Sequence, residues 1–85
     1  MKKIWHDQAW ADYLNLQNDK KLLKKANALL KDIERGGYEG IGKPEPLKGN
    51  FEGYWSRRID DYNRIVSKIE GEVIEIFQCG IHYHQ

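Results

Sequence analysis

The chain has a single cysteine, Cys79, and only two prolines among 85 residues. One thiol excludes an internal disulfide framework and every paired-cysteine zinc or redox motif. No apolar run approaches the roughly 18 residues that a membrane-spanning helix needs. The opening MKKIWHDQ turns polar before a signal-peptide core can form. Charge of one sign is missing too: 14 Lys/Arg against 13 Asp/Glu leave +1. A protein so balanced exerts little long-range pull on a polyanion, so any nucleic-acid contact must come from local clusters. There is no GxxxxGK phosphate loop and no GxGxxG turn. The expectation is a soluble cytoplasmic protein with no membrane partner and no cofactor.

What is present suits one small domain spanning residues 1–85. Hydrophobic residues make up 40% and aromatics 12%, enough for a packed core and too much for a disordered tail. At 10.0 kDa that core is thin. Charge is unevenly spread. Residues 1–35 hold eight basic side chains against five acidic, and residues 36–85 six against eight.

After the short, partly apolar Lys2–His6, Asp7 is a natural helix N-cap. Trp10, Tyr13, Leu14 and Gln17 then follow at helical spacing. Asn18 and Asp19 offer fresh caps for a second helix. Its stripe is Leu22, Leu23, Ala26, Leu29, Leu30 and Ile33, with the lysines off the stripe and Gly36-Gly37 as the stop. Tyr38–Asn50 has no clean period. Pro44 and Pro46 push Lys43 and Glu45 toward extended conformations. From there the pattern is β: Tyr54–Ile59, Tyr62–Ile69 and Glu72–Cys79, with turns near Asp60-Asp61 and at Glu70-Gly71. The predicted fold class is α+β, with two N-terminal helices packed on one face of a small, mostly antiparallel twisted sheet. The other face is open and mixed, with Arg64 among Val66, Val73, Glu75 and Phe77.

Three groups have the chemistry for catalysis. Glu45 is held between two prolines, and a general base must be held still. Arg57, Arg58 and Arg64 lie on adjacent strands, and guanidinium suits a bidentate grip on phosphate. A two-residue turn at Asp60-Asp61 would set Arg57 opposite Arg64; one extra residue would set Arg58 there instead. His82, Tyr83 and His84 close the chain, and imidazole titrates near neutrality, as a general acid must. His82 and His84 alone make a poor metal site, so no metal is expected. Cys79 reads as a core residue, as do Trp5, Trp10 and Trp55. A fixed carboxylate, arginines and an imidazole are what metal-free RNA transesterification requires. The base takes the 2′-OH proton, arginine steadies the phosphorane, and the acid protonates the leaving 5′ oxygen.

The blocks GKPEPLKGN and GYWSRRIDDYNRIV, in that order and followed by a terminal HY pair, resemble the YoeB/Txe family of toxin–antitoxin toxins, within the RelE-like superfamily. The likeness runs almost end to end. It implies a RelE-like fold, related to microbial ribonucleases, and an endoribonuclease that cuts mRNA in the A site of the 70S ribosome and stops translation. It implies a cognate antitoxin of the YefM/Axe kind that threads a C-terminal segment over or beside the site, and a habit of pairing that points to a homodimer. By motif, it makes Glu45, Arg64, His82 and Tyr83 catalytic and Lys48 and Arg58 substrate-contacting, with Arg57 as the competing arginine of the same strand.

The chain departs from the resemblance at Ser67, where the family usually has Tyr, at Gly37, at Gly80-Ile81, and in the His84-Gln85 tail. A regular strand would also set His82 on the face opposite Arg64, so a break after Cys79, at Gly80, is expected. The lysines of the second helix (Lys20, Lys21, Lys24, Lys25, Lys31) are expected to be solvated or to meet ribosomal RNA phosphates. Two other functions fit the same fold: a ParE-like toxin that inhibits DNA gyrase without nuclease chemistry, and a catalytically impaired RNA- or protein-binding module.

Overall fold

Residues 1–81 are described by the structure, a computed structural model. Lys2–Trp5 forms strand β1, and the chain turns at once into helix α1, Asp7–Leu16. His6, extended, occupies the N-cap without a side-chain capping bond. Asp7, the expected cap, is instead the first helical residue, where its charge meets the positive end of the helix dipole. Asp19 behaves as anticipated: its carboxylate accepts from the backbone N–H groups of Lys21 and Leu22 and opens helix α2, Lys20–Gly36. Gly37, at φ 67°, ends it in the left-handed conformation that glycine tolerates best.

Ala26, Leu29, Leu30 and Ile33 are the buried stripe of α2. At roughly 1.5–3 kcal/mol per large aliphatic side chain, that stripe rather than helix propensity holds α2 on the sheet. It meets Ile65, Ile74, Ile76 and Cys79, all fully buried, with Ala9 and Leu16 of α1 completing the core. Trp5 and Tyr13 pack at its border, whereas Trp10, expected inside, is 45% exposed and stands edge-on to Trp5.

The sheet continues with β2, Glu45–Pro46, then a 3-10 turn at Gly49–Phe51, β3, Trp55–Arg58, β4, Asn63–Glu70, and β5, Val73–Ile81. Its order is β1-β5-β4-β3-β2, with β1 parallel to β5 and the rest antiparallel. The hairpin between β4 and β5 closes through Gly71 and Glu72, one residue later than the sequence suggested, because Glu70 pairs with Val73. The register shifts between Val66 and Ser67: Val66 faces Gln78 and Ser67 faces Ile76, so Phe77 is the extra, unpaired residue of a β-bulge. Beyond it the ladder runs on through Cys79, Gly80 and Ile81. The break expected at Gly80 is therefore not there among the described residues, and the irregularity comes three residues earlier. That bulge reverses the alternation and lets Cys79 join Ile74 and Ile76 in the core.

Candidate functional site

The segment that carries Glu45 is built by backbone constraints on both sides. Gly40, Gly42 and Lys43 have positive φ, at 134°, 83° and 51°. Lys43 thus departs from the extended conformation expected before proline, at a strain cost of about 1–2 kcal/mol for a residue with a Cβ. Two contacts hold the loop there. The Arg58 N–H donates to the Gly42 carbonyl at 2.7 Å. The Arg57 guanidinium, 2% exposed, donates to the carbonyls of Gly37, Glu39 and Ile41 and to the Asp32 carboxylate at 2.5 Å. Asp32 also accepts from the Ile41 N–H. The Arg57 hydrogen bond, then that of Ile41, holds the Asp32 carboxyl below the usual carboxylate range.

This settles the arrangement of the two arginines. Arg58 pairs with Arg64, and Arg57 pairs with the fully buried Ile65. Three residues, Asp60–Tyr62, separate Ile59 from Asn63, whose N–H and carbonyl are bonded. The Asp60 carboxylate accepts from the backbone N–H groups of Tyr62 and Asn63 and so shapes that turn. Burial pulls the Asp60 carboxyl upward, but those hydrogen bonds outweigh it and leave it below its ordinary value. The expectation that Arg57 grips substrate is corrected here. Its guanidinium is turned into the protein and occupied by one carboxylate and three carbonyls, which leaves it a structural tie.

Glu45 pairs with Ser56, Ser56 with Val66 and Val66 with Gln78, forming one row across the open face. Arg58, Arg64 and Gly80 form the next row. Glu45 and Arg58 are diagonal cross-strand neighbours, within reach of long side chains. Both side chains are exposed and have no ion pair among the described residues. Arg64 is half-buried; its guanidinium donates to the carbonyls of Asp60 at 2.8 Å and Asp61 at 3.3 Å, which aims the charge along the β3–β4 turn. Lys48 is exposed at the N-cap of the 3-10 turn. Ser67, buried opposite Trp55 and Ile76, faces the helices, so its departure from the family pattern leaves the open face untouched. His82, Tyr83 and His84 lie outside the described residues.

No spacing in the chain marks a second polar cluster on this face. His6 Nε2 and Glu75 Oε2 are 2.6 Å apart, and Lys68 lies 3.9 Å from Glu75. The His6 hydrogen bond keeps the Glu75 carboxyl below the usual range. Burial, followed by the neighbouring Glu75, raises the Tyr54 phenol. Among the described residues no cluster of three acidic, histidine or cysteine side chains is placed to hold a metal. On the helical side, Lys20, Leu23, Lys24, Asn27, Ala28 and Lys31 line a shallow groove of about 470 Å³ on α2.

Two helices behind a five-stranded sheet, with an open face bearing a carboxylate and two arginines, are the arrangement that the resemblance to RelE-like toxins implies. Comparison with known proteins narrows the class. The family described as "YoeB-like toxin of bacterial type II toxin-antitoxin system" matches residues 5–83. Toxin YoeB of Synechocystis is 51% identical over the full length of both chains. A YoeB/ParE toxin from Agrobacterium tumefaciens superposes with a TM-score of 0.93 at 42% identity, covering 98% of this chain and 100% of that one. A YoeB–YefM complex from Staphylococcus aureus superposes at 0.90 with 47% identity over 98% of each chain, and a YoeB dimer from the same organism at 0.89 with 48% over the same shares. The chain belongs to the YoeB toxin family of type II toxin–antitoxin systems.

Proposed function

We propose that this toxin is a ribosome-dependent endoribonuclease that cuts mRNA in the A site by metal-free transesterification. The observation that supports this most is the register of the sheet, with Glu45 diagonal to Arg58 and Arg58 opposite Arg64 on one solvent-open face. Glu45 takes the proton from the ribose 2′-OH as that oxygen attacks the adjacent phosphorus. Arg64 and Arg58 stabilise the charge that builds on the phosphorane, in a setting where preorganised donors do the most. His82 protonates the departing 5′ oxygen, and Tyr83 shares the catalytic role, both assigned by the family resemblance. Lys48 contacts the substrate phosphate chain, and the lysines of α2 meet ribosomal RNA. The nearly neutral net charge leaves docking to those local clusters.

The partners follow from the relatives. We read the antitoxin as a YefM-like protein that covers the open face, and self-association as the counterpart of the Staphylococcus aureus dimer. Defined mRNA on programmed ribosomes tests the activity. Wild-type protein should cut at the A-site codon, and Glu45→Gln and Arg64→Ala should each abolish the cut, Glu45→Gln without altering thermal unfolding. No cut by folded wild-type protein would overturn the nuclease reading and send the question to DNA gyrase inhibition.

A further inference from the structure

We infer that the open face carries a nucleobase-stacking subsite centred on Phe77, with the His6–Glu75 pair as its polar edge. This subsite rests on the RNA-cleavage reading above and names the part of the RNA that the reading leaves unassigned. The bulge makes Phe77 the unpaired residue of β5, and bulges beside functional sites commonly serve to re-aim one side chain. Its ring is packed by Phe51 at 5.0 Å and Tyr54 at 5.9 Å between centroids. The His6 ring stands nearly perpendicular to it at 5.1 Å. None of these rings belongs to the buried core, and all are only partly covered. Glu75 fixes the His6 ring through its hydrogen bond, and Lys68 lies 5.0 Å from the centre of the Tyr54 ring.

The patch is continuous with the proposed cleavage site. Tyr54 is the other diagonal neighbour of Glu45: Glu45 pairs with Ser56, and the Leu47 N–H bonds the Tyr54 carbonyl to extend that pairing. An RNA strand whose scissile phosphate lies by Glu45 and Arg64 can therefore run an unpaired base onto the rings. Every base has a π face, and the donors and acceptors of His6, Glu75 and Lys68 are suited to its polar edge. The chemistry favours a nucleobase over an apolar peptide because the rings are bordered by charge on the side of Lys68 and Glu75.

A cycle that pairs protein variants with altered RNA tests this. Ribosome-bound mRNAs carry one abasic nucleotide at successive positions around the cut, and kcat and KM are measured for wild type, Phe77→Ala, Phe77→Leu and Phe77→Trp. At one position the abasic nucleotide should cost wild type and Phe77→Trp about tenfold in kcat/KM, the size of one base–aromatic stack. At that position it should cost Phe77→Ala and Phe77→Leu nothing further. Leu keeps the apolar packing without the π face, so a purely structural role would leave it like wild type. Equal abasic costs in all four proteins at every position would overturn the subsite while the nuclease reading stands. Failure of wild type to cut any RNA would overturn both.

Discussion

Replacing Arg57 tests how the Glu45 loop is held. The side chain is 2% exposed and ties α2, the 37–42 loop and β3 through four hydrogen bonds. Arg57→Met keeps much of the volume and removes every donor. Removing one partner of a buried ion pair costs about 3–5 kcal/mol. Asp32 is itself 20% exposed, and the exposed positions Glu39 and Ile41 let their carbonyls regain water, which favours the lower end of that range. Small domains have about 5–15 kcal/mol in all, so the variant should lose a large share of its stability. At about 4–8 °C per kcal/mol for a domain of this size, Tm should fall by at least ~12 °C. Arg57→Lys should recover only part of the loss, since an ammonium cannot serve a carboxylate and three carbonyls in one plane. Urea unfolding of the three proteins, with amide exchange over residues 37–43, gives both readings. A loss under about 1 kcal/mol with loop protection unchanged would refute the reasoning.

Acid should destabilise the fold in a defined direction. Asp32, Glu34, Asp60 and Glu75 all have folded pKa values below their ordinary ones. Their stabilising contribution is thus fully present above roughly pH 5 and is lost as pH falls through the folded values; urea midpoints between pH 6 and 2 should show it, and a flat profile would contradict it. Cys79 is buried beside Asp12, and burial first, then that carboxylate, push its thiol up to about 12. A thiol-reactive dye at pH 8 should therefore label the protein only at the rate of unfolding, and prompt labelling of the native state would contradict the burial.

Where the sequence carries a period or a rigid residue, it was legible. The α2 stripe recurs at helical spacing because one helix face is dry: of its six residues, Ala26, Leu29, Leu30 and Ile33 are buried, and Leu22 and Leu23 pack half-buried at the edge of the core. Pro44 and Pro46 leave Glu45 little but an extended backbone, and it forms an edge strand that needs few donors. Arg57 and Arg58 were not separable, because a strand presents alternate faces and one residue in a turn exchanges them. The deciding group is the Asp60 side chain, which bonds two backbone N–H groups and sets a three-residue loop. Gly80 looked like the place for a break, yet glycine permits irregularity without causing it. The bulge falls at Phe77, where no local signal marks it. Asp32 meets Arg57 across 25 residues of chain, and His6 meets Glu75 across 69. Neither pairing has a sequence spacing that foretells it, since both depend on how helices and strands stack.

The most direct measurement of the central claim uses an mRNA with a single 2′-deoxy nucleotide at the cut site on programmed ribosomes, beside the all-ribose control. If Glu45 activates the 2′-OH, the control yields an upstream fragment ending in a 2′,3′-cyclic phosphate and a downstream fragment with a 5′-hydroxyl. The deoxy substrate should stay intact at that position. Cleavage of the deoxy linkage at the control rate, or fragments bearing 5′-phosphates, would contradict the account.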